Sequence, residues 1–578
     1  MFLRSVALLF VLASGSLAQN TTYQNPILPG FHPDPSCIFV PERDDTFFCA
    51  SSSFLVFPGI PIHASKDLQK WKLVSNVLNR PSQLPGLNTA KRATSGIWAP
   101  TLRYRDGTFY LVTTLVYDDY PKNSSARFDN LIFTSEDPYT STAWSDPVHF
   151  EFPGYDSSPF WDDDGQVYIT GTFAWEVSPG IQKLPLNIDT GEVGPTKNIW
   201  NGTGASAPEG PHLYRKDGYY YLMIAEGGTG AGHMVTMARS TSIDGPYEGH
   251  PHNPVLTNAG TTAYFQNVGH ADLFQDGEGR WWAVALSVRQ GSDGSYPMGR
   301  ETVLTPVTWE EGEWPIFSNV SGKMSGWHID SAPVVEDGEG SLVDSSFYGR
   351  FEPGSELGPE FVHWRFPVEG DYGISKEGSL QLRSSRANLT GSDGRSAEKE
   401  GQTFVGRRQV HSLFEFSATF DITALKREEE EAGVSVFLDQ LHHYDLGIVM
   451  LPSSTKRKLS SSSNITSLAP HFRVRGITTV PAFTSSDLAV TAIPSPWIGQ
   501  SITLKIQAKN ITHYELSAGP LGKKAEMKTI GYGNGLGLTW GFTGVLLSVY
   551  ATTNGRTGEF ETFVSEWKYD GIGQVVGK

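Results

Sequence analysis

Trp98-Ala99-Pro100-Thr101-Leu102-Arg103-Tyr104-Arg105-Asp106-Gly107-Thr108-Phe109-Tyr110-Leu111-Val112 reads as one unit: a short apolar strand, an Asp-Gly turn and a strongly aromatic strand. Asp-Gly between β-rich runs is among the strongest short-range hairpin signals. The unit occurs four more times. Upstream, Asp34 precedes the run Ser36 to Val40, a turn at Asp44-Asp45 and the strand Thr46-Phe47-Phe48-Cys49-Ala50. Downstream, Asp156-Ser157-Ser158-Pro159-Phe160-Trp161 leads to Asp164-Gly165 and Gln166-Val167-Tyr168-Ile169. Glu209-Gly210-Pro211-His212-Leu213 leads to Asp217-Gly218 and Tyr219-Tyr220-Tyr221-Leu222-Met223. His270-Ala271-Asp272-Leu273-Phe274 leads to a turn at Asp276 to Gly279 and Arg280-Trp281-Trp282-Ala283-Val284. The turns recur roughly every 50 to 60 residues, a spacing in the range of propeller blades. No long helix-period segment interrupts them. Residues 19–335 are therefore predicted to form a five-bladed β-propeller of small antiparallel sheets, whose radial repetition protects sheet edges.

In a propeller the first strand of each blade lines the central axis. The residues that open those strands, Asp34, Trp98, Asp156, Glu209 and His270, should then meet around one mouth of the channel. Asp34 alone, between Pro33 and Pro35, reads first as a turn or cap residue. Proline pushes the residue before it towards extended geometry, which predicts a rigid, extended Asp34. Three acids around one pit alter the reading, because buried carboxylates are costly unless paired or used. Two carboxylates across a pocket are the minimum for glycoside hydrolysis, and a third can raise the acid's pKa by like-charge repulsion.

From about residue 340 the pattern changes to half-buried antiparallel strands such as Phe414 to Phe420, Gly433 to Phe437 and Ile502 to Ile506. They predict a second, all-β domain over 340–578, a sandwich of jelly-roll or concanavalin-like type. Lys426 to Glu431 reads as a charged turn and Ser453 to Ser463 as a serine-rich loop.

The chain has 578 residues, which calls for two or more domains. Its net charge of −17 argues against nucleic acid or an anionic membrane as partner. Arg4, the apolar run Val6 to Leu12 and the small residues up to Ala18 read as a signal peptide over 1–18, hence a secreted protein. Sequons at Asn20, Asn123, Asn201, Asn319, Asn388, Asn464 and Asn510 agree with secretion and glycosylation. Cys37 and Cys49 fall on facing strands of the first unit, so a disulfide there is plausible, bracing the strand after Asp34; two buried free thiols are the alternative. The 12% aromatic content suits sugar binding and suits a large β core equally.

His32-Pro33-Asp34-Pro35-Ser36, Gly96-Ile97-Trp98-Ala99-Pro100, Asp156-Ser157-Ser158-Pro159-Phe160, Pro208-Glu209-Gly210-Pro211, Gly269-His270-Ala271-Asp272 and Met298-Gly299-Arg300-Glu301-Thr302, in that order, resemble family 43 glycoside hydrolases. The C-terminal half is similar to the sandwich of that family's β-xylosidases, which packs against the propeller and can close one side of the pocket. The resemblance implies Asp34 as general base, Glu209 as general acid and Asp156 as the residue that raises and orients the acid. It implies inversion at the anomeric carbon. Trp98 resembles the wall of the sugar pocket, Arg300 the arginine that reaches a sugar hydroxyl, and Phe31 and Phe54 are counted with them as substrate-binding. His270 resembles the axial histidine, which in many members ligates calcium or its waters. No cofactor is required on this reading, and a structural or activating calcium is the one metal it admits.

Weaker motifs have plainer readings. Asp162-Asp163-Asp164 is a solvated turn, Gly228 to Gly232 a loop at the pit rim without the lysine of a phosphate loop, and His442-His443-Tyr444 sheet surface. The resulting expectation is a secreted β-xylosidase that releases pentose from non-reducing ends of xylo-oligosaccharides or arabinoxylan. An α-L-arabinofuranosidase or endo-arabinanase is the rival within the class. A non-catalytic carbohydrate-binding propeller is the rival outside it.

Overall fold

The computed structural model describes residues 21–173, 175–349, 351–391, 401–453, 467–480, 485–539 and 541–577. The leader 1–18, the sequons at Asn20 and Asn464 and nearly all of the serine-rich segment lie outside these residues. Among the described residues no helix is long and apolar enough to cross a membrane.

The Asp-Gly units fold as hairpins for the reason their sequence supplies. Asp106 and Gly107 have φ of 50° and 89°, and Asp217 and Gly218 have 50° and 79°. Two successive left-handed residues make the turn whose twist matches antiparallel strands, and Asp and Gly tolerate that region best. Each hairpin recruits two further strands. The result is five four-stranded antiparallel sheets with inner strands Ser36–Val40, Gly96–Arg105, Tyr155–Trp161, Glu209–Lys216 and Phe265–Gln275. Each inner strand touches the next, and the fifth touches the first, so the sheets form a closed propeller.

Closure joins the two ends of the ring. Thr21–Gln24 pairs with Lys323–Gly326. Asn25 hydrogen-bonds both the N–H and the carbonyl of Leu304, at 2.8 and 2.9 Å. Cys37 and Cys49 lie opposite each other in the first hairpin and form a disulfide, as their placement predicted.

The C-terminal half is a sandwich of an eight-stranded and a six-stranded sheet. Alternating residues such as Phe414, Phe416, Ala418 and Phe420 supply its apolar core. His442 and His443 are not on the surface: each is 1% exposed. Asp439 and Asp445 accept or share a proton with their Nδ1 atoms at 2.9 Å, which lets a sheet bury two imidazoles. The two domains are joined by main chain as well as side chains. His363–Trp364 pairs with Val56–Phe57 of the propeller. Gly30, at φ 79°, lies so close to the Gln409 carbonyl that a Cβ would sit 2.0 Å from its oxygen.

Candidate functional site

The inner strands do not begin as regular strands. A register shift interrupts each pairing of the second to fifth inner strands near its start, between Trp98 and Thr101, Tyr155 and Ser158, Glu209 and His212, and around Gly269. At these places Ala99, Asp156, Gly210 and His270 take φ of 36°, 57°, 57° and 48°, and Asp34 joins them at 52°. The expectation of an extended Asp34 before Pro35 is therefore corrected. Asp tolerates the left-handed region better than most residues, and its carboxylate is clamped there by partners. Such positions cost on the order of 1–3 kcal/mol each and persist where surroundings hold them. Their effect here is to turn side chains from the sheet faces into the axis.

Asp34, Phe54, Trp98, Tyr155, Asp156, Trp175, Glu209, Thr229, His270, Arg300 and Phe542 line one small pit, of about 40 Å³. Phe31 is not in this lining. It is fully buried, and its ring lies 6.2 Å from that of Phe54, which is the aromatic that faces the pit.

The acids have unlike surroundings. Asp34 accepts from Arg300 Nη1 at 2.8 Å and Nη2 at 3.2 Å, and from Ser52 Oγ at 2.7 Å; His270 Nδ1 is 3.7 Å away. Burial alone would raise its pKa, but Arg300, His270 and Ser52 outweigh it and hold it below the usual carboxylate range. Asp156 has one hydrogen bond, from the Gly210 N–H at 2.9 Å. Burial, then Glu209, then Asp34 push it well above the usual range. Glu209 accepts from Tyr155 OH at 3.0 Å. Burial, aided by Asp34 and opposed by the Tyr155 bond and Arg300, raises it to about 7. Asp156 and Glu209 titrate as a pair, and the pair holds a proton near neutrality.

Aromatic rings make the walls. Trp98 donates from Nε1 to the Thr94 carbonyl at 2.9 Å, which fixes its ring. Phe542 faces Trp98 at 5.9 Å and Phe54 at 6.2 Å, both nearly parallel. Phe542 belongs to the sandwich, in the loop before strand Leu546–Thr552, and its carbonyl accepts from Arg300 Nε at 2.7 Å. The Arg300 backbone N–H also donates to the Thr543 carbonyl at 3.3 Å, so Arg300 carries two hydrogen bonds to the sandwich and two to Asp34. Tyr155, Trp175 and Phe542 were not among the residues singled out from sequence, whereas Thr229 lies in the Gly228–Gly232 loop expected at the pit rim.

One layer below the pit, every inner strand contributes to a polar ring. Arg103 donates to both oxygens of Asp272 at 2.7 and 3.1 Å, to Ser36 Oγ at 3.1 Å and towards His212 Nδ1 at 3.2 Å; Ser158 Oγ meets the same nitrogen at 2.9 Å. This bears on calcium. Among the described residues no three His, Cys, Asp or Glu side chains converge as a metal cage. Near His270, the Asp272 carboxylate is engaged by Arg103, Ser36 and Tyr214, and Asp34 by Arg300. These residues form no cage of their own for calcium, so an ion at His270 would have to be held mainly through its waters.

The family described as "Glycosyl hydrolases family 43" matches residues 23–315, and "Beta xylosidase C-terminal Concanavalin A-like domain" matches 350–570. A non-reducing end alpha-L-arabinofuranosidase of Bacteroides ovatus, BoGH43B, is 33% identical over 94% of this chain and 94% of its own length. A xylosidase/arabinosidase of Butyrivibrio fibrisolvens is 35% identical over 74% of this chain and 79% of its own. Among solved structures, a xylan beta-1,4-xylosidase of Bacillus halodurans superposes with a TM-score of 0.79 at 28% identity, covering 95% of this chain and 99% of that one.

Proposed function

The chain belongs to the glycosyl hydrolases of family 43, and from that premise we propose that it is an exo-acting β-xylosidase, with α-L-arabinofuranosidase activity in the same pit. The observation that carries the reading is the split among three buried acids around one small pit. Asp34 is held ionised by Arg300, while the Asp156–Glu209 pair holds a proton. That is the division an acid–base hydrolysis needs.

In the proposed reaction Asp34 takes a proton from a water as the water oxygen bonds to the anomeric carbon. The bond from that carbon to the leaving oxygen breaks, and Glu209 delivers its proton to that oxygen. Configuration inverts because attack and departure are on opposite faces. Asp156 orients Glu209 through its hold on the Gly210 N–H, and burial with the Asp34 charge keeps Glu209 protonated. Trp98, Phe54 and Phe542 offer flat faces to one pentose ring, and Phe542 closes the side along which a polysaccharide would otherwise continue. This favours release of single terminal units over the endo-arabinanase alternative. We further propose secretion, with the exposed Asn123, Asn319 and Asn510 as glycosylation sites.

Hydrolysis of nitrophenyl β-D-xylopyranoside, nitrophenyl α-L-arabinofuranoside and xylobiose by the wild type and Glu209→Ala tests this. The wild type releases either sugar, and the variant loses roughly 10²–10⁴-fold on xylobiose, less on the activated nitrophenyl substrates. Full activity of Glu209→Ala on xylobiose would displace the acid to another residue. A wild type active only on internal arabinan bonds would favour the endo enzyme.

A further inference from the structure

A second cavity lies away from the pit, between propeller and sandwich, with a volume of about 50 Å³. Its polar lining sets four basic side chains, His32 and His63 from the propeller and Arg407 and Arg408 from the sandwich, against one carboxylate, Glu360, with the hydroxyls of Ser341, Ser345 and Tyr569. Four buried nitrogens there have no hydrogen-bond partner: His32 Nε2, His63 Nδ1, Arg407 Nη1 and Arg408 Nη2. His32 and His63 are 0% and 3% exposed, and their rings meet edge to face at 4.8 Å.

The charges do not balance. Arg407 has a distant partner, with Nη2 4.0 Å from Glu360 Oε1. Arg408 has no carboxylate partner among the described residues. Its Nε donates to the Phe31 carbonyl at 3.1 Å, and its guanidinium lies 5.6 Å from the Phe31 ring. Burial lowers its pKa to about 10 with no opposing charge. Arg408 is half-buried as a residue, but its Nη2 is cut off from solvent, and that costs free energy when no counter-charge is near. Water could satisfy the nitrogens but would leave the charge uncompensated. Tyr569 cannot compensate it, since burial raises its pKa and keeps the phenol neutral.

We propose that this interdomain cavity is a binding site for a small inorganic anion, seated against Arg408 Nη2 and Arg407 Nη1. Its volume suits a few waters or one such ion. His32 donates or shares Nδ1 with the Pro29 carbonyl at 2.9 Å, so on protonation Nε2 becomes a second donor facing the cavity. The anion supplies the charge that makes this protonation affordable beside His63 and Arg408. The site thus pins the sandwich to the segment Phe31-His32-Pro33-Asp34, through Arg408 on one side and His32 on the other.

The test uses the full chain. Thermal unfolding is followed in sodium bromide or sodium sulfate, with ionic strength held by sodium gluconate, whose anion is too large for the cavity. The wild-type Tm rises saturably, by roughly 2–5 °C, and Arg408→Met shows no such rise. Wild-type crystals grown in bromide show an anomalous peak within hydrogen-bond distance of Arg408 Nη2, which decides the matter even if Arg408→Met does not fold. Equal salt dependence in the two proteins, or a cavity in those crystals holding water alone, overturns the proposal.

Discussion

Two buried glutamates, one in each domain, have opposite fates. Glu209 in the propeller pit is raised to about 7, and Glu431 in the sandwich is lowered to about 2. Burial raises both. Around Glu431, Arg475 and Arg473 outweigh it, helped by hydrogen bonds from Asn554 Nδ2 at 2.8 Å and Tyr550 OH at 2.9 Å. Around Glu209 the nearest acidic neighbours are Asp156 and Asp34, and the nearest guanidinium is committed to Asp34. The sandwich neutralises its buried acid for stability. The propeller withholds that neutralisation, so a proton stays available for transfer.

Exchanging each acid for its amide separates the two. Glu209→Gln should lower kcat on xylobiose by roughly 10²–10⁴-fold, about 3–5 kcal/mol in the barrier, with little change in Tm. Glu431→Gln should leave kcat near wild type and remove about 3 kcal/mol of stability, by taking away the fully buried carboxylate that Arg473 and Arg475 share and leaving them the more exposed Glu429. Urea unfolding beside steady-state kinetics reads both; a loss of rate in Glu431→Gln at a temperature where it is folded breaks the contrast. The pH profile of kcat/KM sharpens it. On the proposed mechanism the active form has Asp34 ionised and Glu209 protonated, so the rate should rise through a pKa below the usual Asp value and fall as pH passes about 7. A profile flat from pH 6 to 9 contradicts that assignment.

Smaller effects probe the scaffolds. Cys37→Ser with Cys49→Ser should cost about 2–3 kcal/mol, since the bond closes a short loop in a formed hairpin; its signature is a lower Tm with kcat retained. Phe542→Ala asks whether the sandwich reaches into the chemistry. Losing one ring face should raise KM about tenfold, near 1.4 kcal/mol, with a smaller change in kcat. An unchanged KM would leave the pit to the propeller alone.

Much of the propeller is legible in the sequence because its signals are local. Asp106-Gly107 and Asp217-Gly218 announce turns that need nothing beyond their neighbours, and repetition then places Asp34, Asp156 and Glu209 at equivalent points. What stays hidden depends on residues far apart in the chain. Phe542 sits in an unremarkable Gly-Phe-Thr-Gly loop, and nothing local says that it faces Trp98. Trp175 is a lone aromatic in a loop, with no period to assign it. The left-handed turn at Asp34 defeats a rule about residues before proline because Arg300 and Ser52, not local sterics, decide it. His442 and His443 look like surface until Asp439 and Asp445 are seen beside them.

Ring closure also sets a timetable. Asp34 lies 266 residues before the Arg300 that clamps it, and Arg300 lies 242 residues before the Phe542 carbonyl that holds its Nε. At roughly 5–20 residues per second of synthesis, the first acid waits on the order of tens of seconds for its guanidinium. The first hairpin, with its disulfide, can form at once, while the pit must wait for nearly the whole chain. A chain cut short before the last strands emerge would therefore carry all three acids around a pit whose Arg300 lacks its hold on the sandwich.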